Sequence, residues 1–450
     1  MRRYAALRLA AGALAAASLP ALASCSGASG DIASIWTDLP ELAIAVELYD
    51  SSDGPGKVAL AWKRDPAEAL LAAKGGKGEE ARPALVVGRR LQGAGLGDRL
   101  VSLDGFLKRV PAANYFYPEL LAGGTIEGRL RLLPLSFNLP AIAFLRSAPA
   151  SGDGFTLSLA DLAAASAAYA RPGAGERMGF SPRWDPRFLV AALDCGGARF
   201  GMRKEASQRA LELGWDASGL ASALADLGSW SARVNGSAAR EDDFKYKYLY
   251  SPPYRWLKDG RALYAYMDSS ELFVVGEERR AELDFRWFSG GGRVPISEGA
   301  VYAGLVRGAK GGGAALSFLA WLVTPEAQRA ILERSRGTRA ADYSFGILGG
   351  FSSVRAVNEG VFPAFYPDLV GHAPPAERLS VPAPLPPDWP ALEAAVLEPW
   401  ALEASARPQA AAGDELAARI ADFRSRGSRQ RPSPRASGRR ARRTRRSCRP

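Results

Sequence analysis

The sequence predicts an α/β fold in which strands pack between layers of helix. Three observations carry that expectation. Strand-like and helix-like segments alternate from residue 34 onward, the run Pro83-Ala-Leu-Val-Val-Gly88 is continuously apolar like a parallel strand covered on both faces, and 47% of the 450 residues are apolar. Such a length and composition support one large or two medium domains with sizeable cores.

Ser34-Ile-Trp begins an extended stretch, and Asp38-Leu-Pro-Glu starts a helix. Thr37 or Asp38 can cap that helix, Pro40 falls in its first turn, and Leu42, Ala45, Val46 and Tyr49 recur at helical spacing. Lys57-Val-Ala-Leu-Ala-Trp62 reads as a strand, and Asp65-Pro-Ala-Glu opens a second helix. With 83–88 as a third strand, this is a βαβαβ opening. A helix near 103–109 and an aromatic loop at Tyr115-Phe-Tyr-Pro follow. Pro134 and Pro140 interrupt the apolar stretch 130–145, which therefore divides into two strands crossing between lobes. Residues 148–290 repeat the alternation with a helical bias, as in Leu220, Leu224 and Leu227. Tyr246, Tyr248 and Tyr250 alternate at period two, which predicts a half-exposed strand or extended loop. Later, 301–306 is a strand, 314–322 a helix, and Thr324-Pro-Glu the start of another: Thr324 caps, Pro325 takes the first position and Glu326 meets the positive dipole end.

A leader precedes these elements. Arg2, Arg3 and Arg8 flank an Ala/Leu-rich segment, 9–22, that is too short for a good membrane span, and Leu22-Ala-Ser-Cys25 closes it. The pattern resembles the lipobox of bacterial lipoproteins. Residues 1–24 then form a removable signal peptide, Cys25 carries a thioether-linked diacylglycerol, and 25–33 is a small-residue tether; an ordinary secretory signal is the alternative. Two acyl chains, at about 0.8 kcal/mol per buried methylene, hold a protein on a bilayer far better than one. The protein is expected outside the cytoplasm, lipid-anchored to the cell membrane and facing periplasm or exterior.

The formal charge of +11 comes from the two ends. The leader holds 3 arginines and 424–450 holds 12 with no acid, so 25–423 carries 43 basic against 47 acidic residues. That balance gives no electrostatic reason to expect a nucleic-acid partner. Residues 424–450 lack any apolar period and are expected to be disordered. They read as a basic arm, a solvated tail, or the product of a frameshift in a GC-rich gene, the last suggested by the abrupt change after Phe423 and the absence of Lys.

Cysteines are Cys25, Cys195 and Cys448, and His372 is the one histidine. These counts leave no disulfide framework, exclude Cys/His zinc sites and argue against a Ser-His-Asp triad. Cys195 is expected to pack as a small apolar residue. Residues 304–310 are Gly-rich, but Gly311 stands where a Walker loop needs Ser or Thr. The acidic runs 241–243 and 277–278 suit solvated faces. No metal, cofactor or catalytic set is expected.

In their order, these elements resemble the extracellular solute-binding proteins of ATP-driven importers, in the carbohydrate-type class that includes maltose-binding protein. The resemblance spans about 31–423 and rests on the lipobox, the βαβαβ opening, the 130–145 crossover and above all Ala315-Leu-Ser-Phe-Leu-Ala-Trp-Leu-Val-Thr-Pro-Glu-Ala-Gln-Arg-Ala-Ile-Leu. It implies a type II periplasmic binding protein fold, two lobes closing on a ligand about a hinge. Lobe one would comprise 31–140 plus 293–338, and lobe two 146–288 plus 345–423. The loose Gly290-Gly-Gly-Arg and Gly308-Ala-Lys-Gly-Gly-Gly segments depart from the pattern.

In a doubly wound sheet the crevice lies beyond the carboxyl ends of the strands. Trp36 follows the first strand, Trp62 ends the second, and both can stack on a pyranose, while Asn138 can donate to and accept from hydroxyls. In the second lobe Trp184, Tyr254 and Trp256 lie in Pro-flanked loops, Asp268 and Ser269 end a strand, and Ser297 and Glu298 precede the strand returning to lobe one. The expected function is non-enzymatic capture of a small polar solute, a carbohydrate by preference, for an ABC-type membrane permease. The alternatives are an adhesive or structural surface lipoprotein and a secreted carbohydrate-active hydrolase with paired carboxylates.

Overall fold

The computed structural model describes residues 32–52, 56–73, 81–111, 115–148, 152–169, 177–203, 212–407 and 411–430, without the side chains of Glu298 and of 427–430. The leader, Cys25, most of the tether, and 431–450 with Cys448 lie outside the described residues.

Strands β1 (Ile32–Thr37), β2 (Lys57–Trp62) and β3 (Leu85–Arg89) form the parallel opening, with β1 between the other two. Residues 85–88 are buried throughout, as their unbroken apolar run requires. Helix Pro66–Ala72 is capped by Asp65, whose carboxylate accepts from Glu68 N at 2.8 Å. Helix Leu42–Ser51 starts later than its sequence suggests: Thr37 Oγ1 accepts from Leu39 N at 3.1 Å, and neither Thr37 nor Asp38 caps the helix. The hydroxyl is used within its own turn, and Asp38 is left to project elsewhere.

The 130–145 stretch does divide at its prolines. β4 (Leu133–Asn138) belongs to the first sheet, and β5 (Pro140–Leu145) enters a second with β6 (Thr156–Ser158), β7 (Ala265–Asp268) and β8 (Leu283–Ser289). Pro140 is the first residue of its strand, where its missing N–H is tolerated. β9 (Ser297–Leu305) returns antiparallel to both β3 and β4, and β10 (Phe351–Ser352) closes the edge against β4. The sheet orders are β10-β4-β9-β3-β1-β2 and β7-β5-β8-β6. This is a two-lobed α/β architecture. The lobes are joined by 138–140, by 290–296, and by the chain after Leu379–Ser380, which pairs with Val294–Pro295.

Four expectations need correction. Phe351–Ser352 lies on the first sheet, so the chain is still in lobe one well past residue 345; Phe351 is held there by Phe137, at 5.9 Å between ring centroids. Tyr246 sits at the end of helix Ala238–Lys247 and not in a strand, because Ser237 caps that helix through Arg240 N and Phe244 faces the core. The final helix, Ala412–Gln430, runs past Phe423 into the supposed tail, with Arg424 paired to Asp388 and Arg426 to Asp422. Gly290-Gly-Gly-Arg is a tight reversal and not a loose loop: Gly290 and Arg293 exchange backbone hydrogen bonds of 2.9 and 3.0 Å, and Gly291 and Gly292 take φ of 55° and 75°. A Cβ on Gly290 would stand 2.4 Å from Cys195 Cβ, so only glycine lets this crossing pass the second lobe.

At the back of the crossings, rings from both lobes interlock. Trp287 and Phe273 of the second lobe meet Phe351 at centroid distances of 5.7 and 5.9 Å, and Phe273 stacks on Phe345 at 4.7 Å. The Thr324 cap holds as expected, accepting from Ala327 N at 3.2 Å.

Candidate functional site between the lobes

A cavity of 540 Å³ opens between the lobes, in the size range of small-molecule sites. Its first wall is the turn after β1 (Asp38, Leu39, Pro40, Glu41) and the pair Arg89-Arg90 after β3, which places it at the carboxyl ends of the parallel strands. Its second wall comes from helix Pro186–Leu193, Phe200, Tyr266, Trp389 and Glu398. The crossings supply the floor through Pro140, Pro295, Ile296 and Ser297. The register of β9 shifts between Ser297 and Val301, with Gly299 at φ 77°, and both Ser297 and Gly299 face the cavity. A second cavity of 710 Å³ adjoins it, sharing Asp38, Arg89, Arg90 and Pro390 and extending past Arg64 and the start of helix Pro66–Ala72. The 770 Å³ cavity around Arg183, Tyr246 and Glu415 is larger, but it belongs to the second lobe alone.

The cleft wall is rich in polar side chains. Asp38 Oδ1, Glu41 Oε2 and Ser297 Oγ are buried and take part in no hydrogen bond among the described residues. Burial pushes the Asp38 carboxyl above its ordinary range, with Arg90 and Arg89 opposing the shift. Burial does the same to Asp194, against a hydrogen bond from Phe200 N, and to Glu398. Tyr266 is also pushed well up by burial, and Asp268 adds to it, so its hydroxyl remains a neutral group able to donate or accept. Arg187 is oriented by two carboxylates, Asp185 at 2.7 Å and Glu271 at 2.8 Å. Trp389 and Phe200, 6.0 Å apart between centroids, give the second wall its apolar face.

Of the ten residues picked from sequence, Ser297 lines the interlobe cavity. Asn138 lies opposite it in the strand register, but its amide is committed: Nδ2 donates to Gly349 O at 2.7 Å and Oδ1 accepts from Ser269 Oγ at 2.7 Å. Ser269 is thus half of a buried pin between lobes, and its hydroxyl also accepts from Leu139 N. Asp268 caps the short helix Ser269–Leu272 in a capping box with Glu271. Trp36 is buried under the Lys63 ammonium and does not line the cavity. Trp184 and Trp256 form an aromatic cluster inside the second lobe, 5.3 Å apart, and Tyr254 lines a small surface hollow with Arg279 over its ring. Trp62 is 61% exposed, two residues before Arg64 at the adjoining cavity. The side chain of Glu298 lies outside the described residues.

Sequence reasoning missed Asp38, Glu41, Arg89, Arg90, Tyr266 and Trp389. For Asp38 and the arginine pair the signal was present, since both follow strands at the predicted crevice. Trp389 carries no local signal because the third crossing brings it in from far along the chain.

No family model matches the chain, and no curated protein sequence matches it. Solved structures do. The structure described as CpMnBP1 with mannotriose bound superposes with a TM-score of 0.53 at 15% identity, covering 87% of this chain and 100% of that one. The GacH receptor of Streptomyces glaucescens, solved unliganded and with acarbose, gives a TM-score of 0.54 at 16% identity, covering 88% of this chain and 97% of the other. The chain has their two-lobed, maltose-binding-protein-like fold. At such identity the likeness extends to the fold and not to individual site residues.

Proposed function

We propose that this protein is a non-enzymatic receptor that captures a carbohydrate between its lobes, is tethered outside the cytoplasm through Cys25, and hands its ligand to an ABC-type permease. The observation that carries the reading is the interlobe cavity, whose wall sets orphaned oxygens of Asp38, Glu41 and Ser297 beside the rings of Tyr266 and Trp389. A sugar offers hydroxyls to such oxygens and an apolar face to such rings. The mannotriose- and acarbose-bound relatives in fold support that class of ligand. Trp62, exposed and two residues before the cavity-lining Arg64 in sequence, is the residue we assign to stack on a second sugar unit.

A thermal-shift screen against neutral oligosaccharides, followed by small-angle scattering, tests this. A ligand present at about 100 times its Kd adds about 2.7 kcal/mol to the folded state, which raises the melting temperature by several degrees. The expected result is such a rise with compaction on binding. Absence of both for every saccharide, or release of reducing sugar by the pure protein, overturns the reading. Mass analysis of the membrane-extracted protein checks the diacylglycerol at Cys25.

A further inference from the structure

Single exposed apolar side chains are ordinary on a protein surface, but three gather at one tip of the second lobe. Tyr246, Leu249 and Tyr250 are 80%, 53% and 98% exposed and lie where helix Ala238–Lys247 ends. The tip is held in shape from beneath. Phe244 stacks on Trp184 at 4.8 Å, half-buried Tyr248 packs on Phe244 at 4.8 Å, and Leu249 N and Ser251 N donate to Tyr246 O and Tyr248 O. Phe244 and Tyr248 thus fix the turn, and the other three side chains stay in water. Lys245 and Lys247 flank them, Lys247 with its ammonium 5.7 Å over the Tyr248 ring. Nearby carboxylates are largely engaged: Asp242 pairs with Arg183, and Glu403 and Glu415 with Arg419. Asp243 and Glu398, the latter acted on by Lys245, offset the lysines in part.

Area decides between kinds of partner. A tyrosine buries about 150–250 Å², so two of them with Leu249 fall short of the about 800 Å² per partner of a stable protein complex. A bilayer surface needs no matching wall. Tyrosine suits its headgroup layer, with the ring toward the acyl boundary and the hydroxyl in water, and lysine lays its stem there while its ammonium meets lipid phosphates. We propose that residues 245–250 dip into the headgroup layer of an anionic bilayer and so seat the second lobe on the membrane. The proposal is independent of the carbohydrate reading.

Cosedimentation of the full chain carrying Cys25→Ser, which removes any acyl contribution, with phosphatidylglycerol-containing and pure phosphatidylcholine vesicles tests it. Tyr246→Ser/Tyr250→Ser is expected to weaken partition about tenfold on the anionic vesicles, and Lys245→Gln/Lys247→Gln about tenfold there with little change on the neutral ones. All of these side chains but Lys245 are exposed, and circular dichroism establishes that both variants fold. The basic stretch 424–450 is common to every protein compared, so partition that both variants retain in full belongs to that stretch and overturns the proposal. Absence of partition by the parent overturns it too. A parent dimer in sedimentation equilibrium that Tyr246→Ser/Tyr250→Ser dissolves assigns the tip to a second copy of the chain and likewise overturns it.

Discussion

In the first lobe a six-stranded sheet carries the core, with rings such as Tyr49, Phe137 and Phe318 beside aliphatic Ile35, Val86 and Val301, whereas the second lobe rests on four strands and buries tryptophans, Trp184, Trp230, Trp256 and Trp400. Trp184 stacks on Phe244 at 4.8 Å and meets Trp256 edge-on, and Phe180 packs against Phe188 and Trp230. A small sheet buries little area by itself, so helices and loops must supply large side chains. The lesson is that a tryptophan in a Pro-flanked loop of the second lobe is a packing residue, while the one at the end of β2 in the first lobe is free to meet a ligand.

Substitutions can break that contrast. Trp184→Ala carries the largest expected effect, a loss of about 3–5 kcal/mol of stability by denaturant titration, with ligand affinity retained by the folded fraction. Next is the pin between lobes: Asn138→Ala removes the acceptor of the Ser269 hydroxyl proton and the donor to Gly349 O and is expected to cost about 1–3 kcal/mol in the same assay. Trp62→Ala should behave in the opposite manner, changing stability by no more than about 0.5 kcal/mol while weakening sugar binding by about 1 kcal/mol in calorimetry. Equal losses of stability from Trp62→Ala and Trp184→Ala would erase the distinction between the lobes.

Two smaller effects concern titration. Asp38, Asp194 and Glu398 are held above their ordinary range, so the folded protein binds more protons than the unfolded chain between that range and the raised values. Their contribution to stability is most favourable below this window and declines as pH rises through it. Asp153 acts with the reverse sign: its hydrogen bond from Arg378 lowers its pKa, and the resulting stability is lost as pH falls. Unfolding curves across the carboxylate range should show a shallower decline with rising pH for Glu398→Gln than for the parent. Burial pushes the Cys195 thiol up to about 12, so alkylation by iodoacetamide at mildly alkaline pH should be slow until the protein is unfolded.

Much of the first lobe was legible because local rules decide it. The all-buried run at 85–88, the Asp65 and Thr324 caps and the division of 130–145 at its prolines each depend on neighbours in sequence. The site was less legible. The crevice was placed correctly beyond the strand ends, but aromatics were favoured over the charged residues that occupy it, Asp38 and Arg89-Arg90. Asn138 and Ser269 looked like ligand contacts because polar residues at a crossover can serve either purpose; in the structure they share a 2.7 Å hydrogen bond with each other. Phe351 was assigned to the wrong lobe since a two-residue edge strand has no periodicity to read.

The seam of rings behind the crossings has a mechanical consequence. Trp287, Phe273 and Phe351 are close-packed and resist compression, so a movement of the lobes that keeps these rings in contact pivots about that line. If the protein is the receptor proposed above, trimming Trp287 is expected to change how far ajar it rests when empty while leaving the lining of the interlobe cavity as it is.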